Sequence, residues 1–189
     1  MLDFALNIHR DLSRNDLLIA EPFLADQNFD RSVILICDYR DKGAFGLILN
    51  RPTGTMLSEV LDWPGRDFPV FSGGPVEPNA LYFVHEFPEI EHALPLRDGF
   101  YLSGSFEQLQ ELAARGRVWP GSCRFFAGYS GWGAQQLDGE IAQDAWIISK
   151  SSLREALALP AEQMWRGVLR NMGGRYRMFS NYPSDPTLN

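Results

Sequence analysis

Cysteine and lysine are nearly absent from this chain, with two of each in 189 residues. Cys37 and Cys123 each sit inside an apolar, strand-like run. That argues against a disulfide framework or a cysteine-built zinc module, and suits buried, unpaired thiols in a reducing compartment. The lysines are Lys42 and Lys150, so arginine carries most of the basic charge. Histidine occurs three times and never after His92. No apolar run approaches the ~20 residues of a membrane span. Met1-Leu2-Asp3-Phe4 is not a basic segment leading into an apolar core, so no secretory leader is expected. Internal repeats, low-complexity tracts and Ser/Gly linkers are missing too, which predicts one domain in the cytoplasm.

What is present is a globular composition with unevenly placed charge. Hydrophobic residues make up 45% of the chain and charged residues 22%, enough apolar material to bury a core. The net charge is −7, but through Ser149 there are 11 Lys and Arg against 21 Asp and Glu, whereas from Lys150 to Arg177 six basic residues face two acidic ones. The first part repels nucleic acid. The second is either a solvated basic face, paired within the fold or across a dimer, or a weak nucleic-acid surface.

Cap and turn signals divide the chain into short elements. A helix is expected over residues 4–13, then a strand at 17–21, a loop at 22–30, and two strands apolar on both faces at 32–39 and 44–50, joined by a turn at Asp41-Lys42-Gly43. Thr55 is placed to cap a short helix ending at Leu61. Strands at 70–71 and 81–85 flank Ser72-Gly73-Gly74-Pro75, and another is expected at 100–102. Ser105-Phe106-Glu107-Gln108 and Ser152-Leu153-Arg154-Glu155 read as capping boxes, each opening a helix. A strand at 123–127 enters the glycine-rich stretch 128–133, expected as a loop, and a helix at 135–143 leaves it. A strand at 145–148 follows. Pro160 starts a helix with Met164, Trp165, Val168, Leu169 and Met172 on its inner face, stopped by Gly173-Gly174, and a last strand is expected at 175–179. The pattern predicts an α+β domain over residues 1–180, with a mixed sheet, hairpins and strand–helix crossovers, and a poorly ordered tail at 181–189.

Three stretches carry candidate binding chemistry. In Gly128-Tyr129-Ser130-Gly131-Trp132-Gly133, a glycine-rich turn ahead of a helix offers free N–H groups to an anion, with Tyr129 or Trp132 as a flat wall. The alternative is a tight turn with Trp132 plugging the core. Gly73-Gly74-Pro75 can form an anion-binding nest or an ordinary turn. Asn50-Arg51-Pro52 ends a strand with a guanidinium suited to carboxylate or phosphate; its alternative is an internal pair with a carboxylate. If the three meet, they form one pocket for a small anion.

The same segments resemble the AlgH/YqgE family of bacterial proteins. The resemblance rests on Leu18-Ile19-Ala20-Glu21-Pro22 with Asp30-Arg31-Ser32-Val33, on Gly46-Leu47-Ile48-Leu49-Asn50-Arg51-Pro52, on Gly73-Gly74-Pro75-Val76, and on the glycine stretch through Leu137, Glu140-Ile141 and Ala145-Trp146. It spans residues 10 to 180. It implies a compact α+β fold, a transcriptional-regulator label derived from genetic association, and no catalytic residue set.

Enzymatic signals are weak. Ser130 is not in G-x-S-x-G, because Trp132 stands where the second glycine should be, and no histidine follows it. His85-Glu86 and Glu91-His92 lack the H-E-x-x-H spacing, and Pro88 breaks any helix joining them, so no metal is expected. Cys37 shares a strand face with Val33 and Leu35 and reads as a core thiol. The preferred expectation is a non-enzymatic, regulatory cytoplasmic protein without a cofactor, binding a small anionic metabolite or a partner's acidic group. The alternatives are a regulator touching DNA through Arg166, Arg170, Arg175 and Arg177, and a hydrolase or transferase using Ser130 or His85. No membrane partner is expected, and an oligomer is compatible with the charge split.

Overall fold

A computed structural model of the chain describes residues 12–183. The apolar runs become the middle of a sheet. Strand β1 (Leu17–Ala20) is buried along its whole length, between β2 (Val33–Arg40) and β10 (Trp146–Ser149). Strand β2 turns at Asp41-Lys42 into β3 (Gly43–Ile48), the expected hairpin, with Arg40 opposite Gly43. A bulge at Cys37 shifts the register between Ile36 and Asp38. Of the helix expected at 4–13, only Leu12 and Ser13 lie within the described residues, and neither is helical.

The second half is organised by β9 (Cys123–Gly133), an eleven-residue strand that takes neighbours on both edges. On one edge β5 (Pro69–Ser72) runs parallel beside Phe125 to Ala127, and β3 then runs antiparallel from Ser130 to Gly133. On the other edge lies β6 (Val76–His85), with His85 opposite Cys123 and Val76 opposite Tyr129. Strand β4 (Pro52–Met56) pairs with β5, while β8 (Tyr101–Leu102) and β7 (Leu94–Pro95) follow β6. All pairings except β5 with β9 are antiparallel. With six α-helices among the described residues beside the sheet, the fold is α+β.

Alternation along the strands builds a core on each face. Leu17, Ile19, Val33, Leu35, Leu47 and Leu49 meet α4 (Leu153–Ala158) and α5 (Ala161–Met172) through Leu153, Met164, Trp165, Val168 and Leu169. Leu18, Ile34, Ile36 and Ile48 form the opposite core with Trp132, Trp146 and Leu137 of α3 (Gln136–Ala142). Near the other end, α1 (Leu57–Val60) and α2 (Phe106–Ala114) cover Val70, Phe83 and Phe125. The two capping serines behave as N-caps: Ser105 accepts from Gln108 N–H and Ser152 from Glu155 N–H, both at 3.3 Å. The Gln108 side chain does not complete a box; its Oε1 accepts from Glu91 N–H at 2.7 Å, tying α2 to the loop before β7.

Three expectations about local structure are corrected. Thr55 belongs to β4, and Met56 occupies the N-cap of the four-residue α1. Residues 175–179, expected as a strand, form α6 (Gly174–Phe179). Tyr176 and Phe179, one turn apart, both pack on the first core, so the productive spacing is helical although Arg175 to Arg177 alternates. Residues 128–133, expected as a loop, continue β9. Of residues 181–189, those beyond 183 lie outside the description; Tyr182 and Pro183 are held by the Arg31 guanidinium, which donates to their carbonyls at 2.9 and 2.6 Å. No helix among the described residues is long and apolar enough to cross a membrane.

Candidate ligand groove

The glycine motifs meet because the chain crosses itself. Strand β5 ends at Ser72 on one edge of β9, and β6 begins at Val76 on the other, so Gly73-Gly74-Pro75 must pass over the β9 backbone. At Gly74 (φ +150°) a Cβ would lie 2.3 Å from the Tyr129 carbonyl, and at Gly128 (φ +68°) 2.6 Å from the Gly74 carbonyl. Only glycine permits that approach in those conformations. The backbone polar groups of Gly73 are spent on the crossing. Gly73 N–H donates to Ala127 O at 2.8 Å, while Gly73 O accepts from Ile48 N–H at 2.9 Å and from Ser130 Oγ at 3.0 Å. Gly73, Gly74, Gly128 and Ser130 are therefore brought together, packed backbone on backbone.

The remaining residues of the expected pocket divide among other sites. Asn50 bridges β3 to the start of β2, accepting from Val33 N–H at 2.9 Å and donating to Arg31 O at 3.0 Å. Among the described residues Arg51 pairs with no carboxylate; it donates to the carbonyls of Gln27 (3.2 Å), Asn28 and Asp30 (2.9 Å), fastening the 22–31 loop. Gly133 lies opposite Gly43, and its N–H donates to the Gln136 side chain at 3.0 Å. The Trp132 ring turns into the second core beside Phe29 and Trp146. Its indole N–H and that of Trp146 donate to one Glu140 oxygen at 2.9 and 2.7 Å.

Tyr129 points to the other face, and there a groove opens. Its ring lies 4.8 Å from Phe45, which lies 5.3 Å from Tyr82, and the two tyrosine rings are 6.0 Å apart. Two depressions share Asp38, Arg40 and Phe45, about 490 Å³ on the Tyr129 side and about 460 Å³ on the Tyr82 side. Gly131 and the Trp132 segment line the first, beside Lys42 at the tip of the β2–β3 hairpin. Arg14 and His92 stand at the second. Arg40 is paired with Asp38 at 2.9 Å, and Arg14 is fixed by Cys37 O and Pro95 O at 2.9 and 2.7 Å. Among the described residues Lys42 has no hydrogen bond or ion pair, and neither tyrosine hydroxyl has an acceptor or donor. Burial, with Glu77 and Tyr129 close by, pushes the Tyr82 hydroxyl above its ordinary value, so it is a neutral donor at physiological pH.

Phe45, Tyr82, Arg14, Arg40 and Lys42 were not singled out from the sequence. The signal available was the basic pair bracketing the hairpin turn and the aromatic inside an otherwise aliphatic β3.

The alternative catalytic residues are held in structural bonds. His85 is buried; Nδ1 accepts from Phe87 N–H at 3.1 Å, which places the ring proton on Nε2, donating to Ser103 O at 2.8 Å. Burial lowers its pKa despite the Ser103 carbonyl. Cys123 stands opposite His85, seven residues along β9 from Ser130, which separates the serine from the histidine by roughly 23 Å. Cys37 and Cys123 are buried and unpaired, and burial raises both thiol pKa values well above normal. Among the described residues no three His, Cys, Asp or Glu side chains gather where one cation could touch them all. Of the C-terminal arginines, Arg166 lines a small cavity with Arg31 and Arg51, Arg175 lies over Tyr176 at 5.0 Å, and Arg170 and Arg177 are exposed.

The fold recurs in known proteins. A family model described as AlgH-like matches residues 17–177. A UPF0301 protein of Cytophaga hutchinsonii is 40% identical, over 94% of this chain and 100% of that protein. One from Bacteroides fragilis is 38% identical, over 94% and 91%. The solution structure of the AlgH protein from Pseudomonas aeruginosa matches with a TM-score of 0.72 at 27% identity, covering 90% of this chain and 94% of that one. A crystal structure of a Corynebacterium diphtheriae protein shares the fold, with a TM-score of 0.73 at 21% identity over 95% and 100% of the two chains. A model covering most of the chain, together with relatives matched along almost their whole length, places this chain in the AlgH-like family.

Proposed function

We propose that this chain is a non-enzymatic, regulatory binding protein of the cytoplasm that holds a small organic anion with a flat ring in the groove over Phe45, Tyr82 and Tyr129. The observation that carries this reading is the half-buried aromatic cluster beside Lys42, the one basic side chain of the hairpin tip with no protein partner among the described residues. The rings supply stacking area, the hydroxyls of Tyr82 and Tyr129 supply hydrogen bonds, and Lys42 with Arg40 meets the negative group. The non-enzymatic part rests on Ser130, His85 and both thiols being buried in structural roles. The cytoplasmic part rests on two free thiols.

The test is calorimetric titration with adenosine monophosphate and with 1-naphthalenesulfonate. At least one should bind saturably, with Lys42→Glu and Tyr129→Ala each weakening it about tenfold or more. Absence of saturable binding by both probes, or binding unchanged in both variants, overturns the reading.

A further inference from the structure

We propose a second site, independent of the aromatic groove: a pocket for a phosphate-sized oxyanion between the 22–31 loop and the start of α5, held by Arg31, Arg51 and Arg166. Its cavity is about 210 Å³, below the range of pockets for drug-sized ligands and suited to a small ion. Three arginines line that volume. Asp30 and Glu162 line it as well, yet among the described residues neither forms an ion pair with any of the three.

The arginines are placed by the fold rather than by acids. The Asn50 side chain fixes the Arg31 backbone, and the Arg31 guanidinium lies over the Trp165 ring at 4.5 Å. One terminal nitrogen of Arg31 holds the Tyr182 and Pro183 carbonyls, whereas its Nε is buried with no hydrogen-bond partner. A buried, unsatisfied charged donor is rare and costly. Arg51 is clamped by three loop carbonyls, which fixes its position. Arg166 has no hydrogen bond or ion pair among the described residues.

The twelve-residue α5 opens on the same wall at Ala161 and Glu162, with Pro160 supplying no side-chain cap. Its first-turn N–H groups and partial positive end add to the field that would hold an oxyanion. Burial and the charge of Arg166 pull the Arg31 pKa down, and the nearby Asp30 carboxylate offsets them only in part.

The experiment is titration of the full chain with inorganic phosphate at constant ionic strength, chloride being the control, followed by calorimetry and by the thermal midpoint. Phosphate is expected to bind saturably and raise the midpoint, and Arg166→Gln to weaken it about tenfold or more. Because Arg166 makes no internal bond and its charge opposes that of Arg31, the variant should melt no lower than the parent in chloride. Lys42→Glu and Tyr129→Ala should leave phosphate binding unchanged, so failure here and failure of the aromatic groove are separable. No saturable binding of phosphate, or equal affinity in Arg166→Gln, overturns the proposal.

Discussion

The hydroxyl of Ser130 donates to the carbonyl of Gly73 at 3.0 Å, across the point where two segments of backbone lie directly on one another. The bond locks a crossing rather than arming a nucleophile. Gly73 O keeps its second donor, Ile48 N–H, when the hydroxyl is removed. Ser130→Ala should therefore cost only about 1 kcal/mol. Gly74→Ala places a Cβ 2.3 Å from the Tyr129 carbonyl at a positive φ, and should cost more than about 3 kcal/mol or abolish folding. Urea unfolding of the two variants checks the contrast.

The pair also shows where sequence reading reached and where it stopped. Strands β1, β2, β3 and β10 were legible because each carries a short apolar run, and α2, α4 and α5 because Ser105, Ser152 and Pro160 mark their starts. Residues 128–133 were read as a loop because glycine normally ends a strand. Here the glycines at 74 and 128 exist to admit a segment some 55 residues away, and no local pattern encodes that partner. The groove was illegible for the same reason. Phe45, Tyr82 and Tyr129 come from three strands, and only the register of β3 and β6 on β9 brings them together. Tyr129 was named without its neighbours.

Glu140 is the polar pin of the second core. One of its oxygens takes both indole N–H groups, and the other accepts from Gln136 Nε2 at 3.0 Å. Glu140→Leu leaves two partly buried donors unmet, at a cost of about 2–4 kcal/mol. A lower urea midpoint with altered tryptophan emission is the expected result; Ala142→Ser, on the exposed side of the same helix, serves as the control.

His85 should give the fold an acid-sensitive limb. Burial holds its folded pKa below the ordinary value near 6.5, while the unfolded chain titrates near that value. The unfolded state therefore binds a proton that the folded state refuses. Stability falls as pH drops through about 6.5 and levels off once the folded pKa is passed. The Asp67 carboxylate, held low chiefly by the Ser58 hydroxyl, has the opposite chemistry but the same sign, and its contribution is lost only below about pH 4. Unfolding midpoints from pH 7.5 to 5 should slope downward in the parent and flatten in His85→Gln.

Both thiols should be silent in the native protein. Cys37 and Cys123 belong to separate cores, and burial raises their pKa values, so thiolate is scarce at pH 8. Labelling by a thiol reagent is expected at the rate of unfolding and to reach two equivalents in urea. Rapid native labelling of either residue would contradict that burial.

The C-terminal arginines should not make this chain a tight DNA binder. Arg166 lines a small cavity and Arg175 stacks on Tyr176, which leaves Arg170 and Arg177 as the freely presented cations of the set. Two or three phosphate contacts release few counterions, and the net charge of −7 opposes the approach of a polyanion. Mobility shifts at physiological salt should show no sequence-specific complex in the usual ~10⁻⁸ to 10⁻¹¹ M range. Any complex seen at low salt should have a shallow salt slope, reduced by about one unit for each of Arg170→Ala and Arg177→Ala. A specific complex that survives both substitutions would place the contact surface elsewhere on the molecule.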